Sequence, residues 1–136
     1  MATKTTTKKP QYRNIHVLQI IKYRLPLAGI VSILHRISGL LMFALLPLIL
    51  LAFEKSLSTE VDFSEVAGHF SNPIIKLIGL ILLWAYLHHF CAGIRHLVMD
   101  THRGLEKEQA KRSALSVLAI SVSLTIICGL IMFNII

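Results

Sequence analysis

The sequence is short of charged residues. Only 15% of its 136 residues are charged and 54% are hydrophobic, whereas a soluble domain usually carries about 25% charged residues. Acidic side chains are the scarcest, with none in residues 27–53, 73–99 or 113–136. This shortage predicts an integral membrane protein. It also argues against a small transporter or channel subunit, which would more naturally use an intramembrane Asp or Glu.

Cysteine is also scarce. Cys91 and Cys128 both lie inside apolar runs, so we interpret them as small buried hydrophobic residues rather than as a disulfide framework. There are no closely spaced cysteines and no Gly-rich nucleotide motif, so we expect neither an iron–sulfur cluster nor a flavin in this chain. The net charge of +7 does not predict nucleic-acid binding, because the basic residues cluster at the ends of the apolar runs.

Three long apolar runs predict an all-α fold with three transmembrane helices in one membrane-anchor domain, residues 1–136. We expect a basic lead over residues 1–26 and spans over about residues 27–53, 73–100 and 113–136. The first run, at 1.5 Å per residue, is roughly 40 Å long, enough to cross a hydrocarbon core of about 30 Å. Asn72 and Pro73 are typical of a helix cap followed by a first-turn proline.

Charge at the ends of the spans predicts their orientation. Residues 1–26 contain six basic residues and no acid, residues 101–112 contain four basic residues, and residues 54–72 contain four acids against Lys55 alone. The positive-inside rule therefore predicts a cytoplasmic N-terminus and a C-terminus outside.

Polar residues in two spans share one depth. His35 and Arg36 lie about ten residues from the inner end of the first span, and His89 and His96 lie in the inner part of the second. His89 and His96 are seven residues apart and share one helix face, whereas His88 is turned away by about 100°. The first span also carries a stripe of small, polar and aromatic residues, which we expect to face the bundle interior: Gly29, Ser32, Arg36, Gly39 and Phe43.

Several of these residues have more than one interpretation. Arg95 could extend to the inner interface, His88 is typical of a packing or interhelical hydrogen-bond residue, and Ser32 alone carries no signal. His89 and Arg36 are more informative. Neutral imidazole is an axial ligand for haem iron, and a charged arginine at that depth needs an anionic partner such as a haem propionate.

Two motifs resemble a known family. "SILHRISG" in the first span and H-x-x-x-G-I-R-H-L-x-x-D in the second are similar to the cytochrome b subunit of succinate dehydrogenase, the larger membrane anchor of complex II. The resemblance covers essentially the whole chain, and "RNIHVLQIIKYRLP" is closer to the forms of some bacteria. It therefore implies a bacterial inner (plasma) membrane rather than a mitochondrial one.

The resemblance implies specific roles. The haem b axial ligand falls on His89 by its four-residue spacing to Gly93, with the adjacent His88 as a second candidate. Residues near the haem propionates fall on His35 and His96. Ser32 and Arg36 match the family's ubiquinone-binding serine and arginine. Implied partners are a second membrane anchor, which supplies the other haem ligand, an iron–sulfur subunit and a flavoprotein subunit. The chain alone should catalyse nothing. Two alternatives stay open: a fumarate reductase anchor that uses menaquinone, and a structural anchor without haem.

Overall fold

The computed structural model describes residues 24–134, so most of the expected lead (residues 1–23) and the end of the third expected span (residues 135–136) lie outside the described residues. Within that range the chain consists of four α-helices and contains no strand. The helices are α1 (Leu27–Ser56), α2 (Glu60–His69), α3 (Pro73–Asp100) and α4 (Lys107–Met132). The prediction of an all-α fold is confirmed.

Three of the helices, α1, α3 and α4, are long and apolar enough to cross a membrane. Even α4, with 26 residues, is about 39 Å long, which exceeds a hydrocarbon core of about 30 Å. Large apolar side chains such as Leu40 and Phe43 remain exposed on the bundle surface, and extensive exposed apolar surface of this kind marks contact with a membrane or a partner. The prediction of three membrane-spanning helices is confirmed.

The short helix α2 lies where a connecting segment was expected. The Thr59 hydroxyl accepts a hydrogen bond from the Asp62 backbone N–H at 3.1 Å, which caps the first turn, and the acids Glu60 and Asp62 lie near the positive end of the helix dipole. Lys55 at the end of α1 forms an ion pair with Glu65 at 2.9 Å. Local capping and charge therefore form a helix outside the apolar runs.

The spanning helix α3 starts where the sequence predicts, whereas α4 starts earlier than predicted. The Asn72 side-chain oxygen accepts from the Ile74 N–H at 2.9 Å, and Pro73 occupies the first turn of α3, so the predicted cap is confirmed. Helix α4 begins at Lys107, six residues before the apolar run at Ser113. Its first turns are charged, and the helix extends by these turns beyond the apolar run.

Small residues bring the three spanning helices together. Val31 of α1, Ala92 of α3, and Ala114 and Val117 of α4 form the buried core. Near the other end of the bundle, a Cβ built on Gly129 would lie 3.2 Å from Leu80. Small side chains allow the close backbone approach that drives helix association in lipid.

The ends of the helices are also fixed relative to one another. One cavity is lined by Pro26–Ala28 of α1 and by Lys107, Ala110 and Lys111 of α4, so these two helices start side by side. At the opposite end, the Lys76 ammonium donates to the Met132 carbonyl at 3.0 Å. The starts of α1 and α4 and the end of α3 therefore lie together, at what we call the basic end of the bundle after Arg103, Lys107, Lys111 and Arg112.

Candidate functional site

His89 of α3 is held against α1 by its Nδ1 atom. Nδ1 lies 3.0 Å from the His35 carbonyl oxygen and 3.3 Å from Ser38 Oγ, and the Ser38 hydroxyl donates to the same carbonyl at 2.9 Å. A carbonyl can only accept, so Nδ1 carries the proton. A neutral imidazole has one donor and one acceptor nitrogen, and His89 therefore keeps the Nε2 lone pair available as a ligand.

Gly39 provides the space for this ring. A Cβ built on Gly39 would lie 2.8 Å from His89 Cε1 and 3.2 Å from Nδ1. Both distances are shorter than ordinary van der Waals contact, so the imidazole packs directly against the α1 backbone. The serine and glycine that end "SILHRISG" thus position the histidine of the second motif.

Three histidines of two helices cluster around this contact. The rings of His35 and His89 are stacked with centroids 4.1 Å apart and an interplanar angle of 19°. The His96 ring is tilted against His35 at 5.1 Å. The seven-residue spacing of His89 and His96 predicts that they share a face of α3, and in the structure both rings lie beside His35. The described residues contain no group of three or more His, Cys, Asp or Glu side chains that could hold a bare metal ion.

Ser32 and Arg36 lie one turn apart at the edge of this cluster. Ser32 is half-buried, whereas Arg36 is exposed and Phe43 is 76% exposed. The expectation that the stripe containing these residues faces the bundle interior is wrong for Arg36 and Phe43. The reason is the rotation of α1, which turns Val31 and Ser38 toward the other helices and leaves Arg36 and Phe43 about 120–160° away around the helix.

His88 differs from the adjacent His89 in its burial and its hydrogen bonding. It is fully buried inside the bundle, beside Trp84 at a ring-centroid distance of 5.3 Å. Within the described residues neither ring nitrogen has a hydrogen-bond partner. His88 is thus buried among packed side chains, and within the described residues it does not form the interhelical hydrogen bond that the sequence left open.

Arg95 does not extend to the interface, which was one of its two interpretations. The residue is only 7% exposed. Its Nε donates to Ser113 Oγ at 3.0 Å and its Nη2 to the Ala110 carbonyl at 3.4 Å. Both partners belong to α4, so Arg95 joins α3 to α4. This role could not be found in the sequence, because it depends on how the two helices pack.

Comparison with known proteins identifies the family of the chain. Residues 8–128 match the family described as the succinate dehydrogenase/fumarate reductase transmembrane subunit. The chain is 35% identical to the succinate dehydrogenase cytochrome b556 subunit of Paracoccus denitrificans, over 82% of this chain and 85% of that one. It is 33% identical to the subunit of the same name from Coxiella burnetii, over 82% of this chain and 90% of that one.

A third relative, the cytochrome b560 subunit of succinate dehydrogenase from Reclinomonas americana, is 30% identical over 80% of this chain and 79% of its own length. The family match covers both motifs, α1 and α3 in full, and α4 up to residue 128. The chain therefore belongs to the succinate dehydrogenase/fumarate reductase transmembrane subunit family, as a cytochrome b-type membrane anchor of succinate dehydrogenase.

Proposed function

We propose that this anchor binds haem b through Nε2 of His89. The observation that carries the proposal is the bond between His89 Nδ1 and the His35 carbonyl at 3.0 Å. Ligating histidines usually donate their other ring N–H to a carbonyl or carboxylate, which fixes the tautomer and the ring orientation. Bound there, haem would supply a one-electron redox centre within the membrane. The residues present fit that group.

The second axial ligand would come from the partner anchor subunit. From this chain His89 alone would hold the group, with the His35 ring stacked against it. His35 and His96 would instead contact the haem propionates, together with the Arg36 guanidinium, whose exposure leaves it free to reach a group outside this chain.

Ser32 and Arg36 would form this chain's part of the ubiquinone site. They are one turn apart on the side of α1 that is not packed in the bundle, so a ring placed there can contact both. The Ser32 hydroxyl would donate to a quinone carbonyl oxygen. The guanidinium would stabilise the negative charge that this oxygen gains as electrons arrive. Iron–sulfur and flavoprotein subunits would deliver those electrons from succinate, so the chain would catalyse nothing alone.

The basic end of the bundle supports a cytoplasmic N-terminus. The chain would serve as one membrane-anchor domain over residues 1–136 in a bacterial inner membrane, which the relatives from Paracoccus denitrificans and Coxiella burnetii support. The fumarate reductase alternative, with menaquinone, is less well supported because all three relatives named above are subunits of succinate dehydrogenase. The haem-free anchor is less well supported because such an anchor has no use for an imidazole held with Nε2 available.

The proposed function can be tested by purifying the complex through a tag on this chain. We expect co-purified iron–sulfur and flavoprotein subunits, a low-spin haem spectrum, and reduction of ubiquinone by succinate. A complex without haem would favour the structural anchor. A complex with haem that reduces fumarate with menaquinol faster than it reduces ubiquinone with succinate would favour the fumarate reductase.

A further inference from the structure

A second cavity lies between α3 and α4 at the basic end of the bundle, away from the histidine cluster. Its volume is about 280 Å³, and most of the side chains that line it are apolar. This volume is roughly nine times the 30 Å³ that one water molecule occupies in the liquid. Two of the lining residues are charged, Arg95 and Arg103, and none is acidic. The cavity thus combines apolar walls with positive charge.

Arg95 has spare donor capacity in this cavity. Its guanidinium has five N–H donors, and the described residues accept two hydrogen bonds from it, at Ser113 and at the Ala110 carbonyl. The one ion pair among the described residues joins Lys55 to Glu65, so no carboxylate there neutralises Arg95. A cation that is 7% exposed within a membrane span is costly without an anionic or strongly polar partner.

The cavity extends from the end of α3 into the two spanning helices. Arg103 and Gly104 follow the end of α3 and line the cavity at the membrane boundary, whereas Ile94 and Ile120 line it deeper in the spans. Both isoleucines are about half exposed, so the cavity opens to the surface of the bundle. An occupant therefore needs a negatively charged head at the boundary and a hydrocarbon chain beneath it.

We propose that this cavity binds an anionic phospholipid of the leaflet at the basic end. Basic pockets between transmembrane helices are known to hold anionic lipid head groups. The head group would accept from Arg103 and from the spare donors of Arg95, and an acyl chain would lie along Ile94 and Ile120. No lining residue carries a negative charge that would repel the head group.

The second membrane anchor would not cover the lipid site. Val98, which lines the cavity, is nine residues after His89 and is therefore turned about 180° around α3. A second anchor that packs on the histidine face, as the proposed function requires, would leave the opposite face toward the bilayer. The lipid site itself does not depend on haem or quinone.

Photo-crosslinking of the purified complex in phosphatidylcholine nanodiscs would test the proposal. A trace of phosphatidylglycerol with a photoreactive acyl chain is compared with phosphatidylcholine that carries the same group, and labelled peptides are mapped by mass spectrometry. We expect the phosphatidylglycerol probe to label the segments around Ile94 and Ile120 at least about fivefold more than the phosphatidylcholine probe. Arg103→Gln should lower this labelling roughly fivefold, the factor for the loss of one basic residue near a membrane surface.

Arg112→Gln is the matched control. Arg112 is exposed at the same end of the bundle and does not line the cavity, so its loss should leave the labelling of the cavity unchanged. Equal labelling by the two lipids would overturn the proposal. So would labelling confined to other surfaces, or an equal loss in both variants, which would mean that only the general positive charge of this end attracts the lipid.

Discussion

Gly39→Ala is the substitution that most directly probes how α1 positions His89. The added Cβ would lie 2.8 Å from His89 Cε1, and ordinary contact begins near 3.4 Å, so the ring must retreat by roughly 0.6 Å. That movement breaks the 3.0 Å bond to the His35 carbonyl, a loss of about 0.5–1.5 kcal/mol. Replacement of glycine by alanine within a helix returns up to about 1 kcal/mol.

The lost hydrogen bond and the gain in helix propensity nearly cancel in the free energy of unfolding, but the displacement of the His89 ring remains. We expect Gly39→Ala to assemble with a thermal stability close to that of the wild type. Its haem affinity should fall by about 10–100-fold, the usual effect of losing a group that orients a metal ligand. The measurements are the ratio of haem to protein and the reduced-minus-oxidised spectrum of the purified complex.

Gly79→Ala is the control for this experiment. Nothing lies within 4 Å of a Cβ at Gly79, so this variant should keep its haem and gain at most about 1 kcal/mol in stability. If Gly39→Ala retained the wild-type haem content and spectrum, the contact between α1 and His89 would have no role in haem binding, and the reasoning would be refuted.

Three further predictions concern other parts of the chain. Ser32→Ala should weaken quinone binding by roughly 1–3 kcal/mol, and Arg36→Leu should weaken it by more. Both variants should slow the reduction of ubiquinone by succinate, whereas the reduction of a soluble dye by succinate persists. Normal quinone turnover in both variants would exclude the quinone role of these residues. A reporter fused after Ile136 should be active only outside the cytoplasm, and cytoplasmic activity would reverse the orientation. Ser113→Ala should lower the stability of the detergent-solubilised complex by about 1–3 kcal/mol, because it removes a hydrogen-bond acceptor from the buried Arg95. Adding Arg95→Met to this variant should restore most of the lost stability. A double variant as unstable as Ser113→Ala would contradict the role given to this contact.

The spanning helices could be predicted from the sequence because their cause is composition. In a run of apolar residues that crosses the bilayer, every backbone N–H and C=O group must be hydrogen-bonded within the protein, and an α-helix achieves this within the run itself. Helix α2 was missed because its cause is local: Thr59 and Asp62 have the spacing of a capping pair, a signal present in the sequence but weaker than hydropathy.

The site was predictable only in part. The seven-residue spacing of His89 and His96 predicted their shared face, but it could not show that α1 presents the His35 carbonyl and Ser38 to His89. The direction of the α1 stripe was wrong for a physical reason. Small and polar residues mark a helix face that contacts protein or ligand rather than lipid, but they do not tell whether that contact lies within the chain or outside it.

The central claim is that His89, and not the adjacent His88, holds haem iron. The most direct measurement is the absorbance spectrum of the purified complex that carries either His89→Leu or His88→Leu. His88 is fully buried and neither of its ring nitrogens is hydrogen-bonded within the described residues, so an apolar replacement of similar size should not prevent assembly. We expect His89→Leu to lose or strongly perturb the low-spin haem spectrum and His88→Leu to retain it. The opposite result, with the spectrum lost in His88→Leu and kept in His89→Leu, would contradict the account.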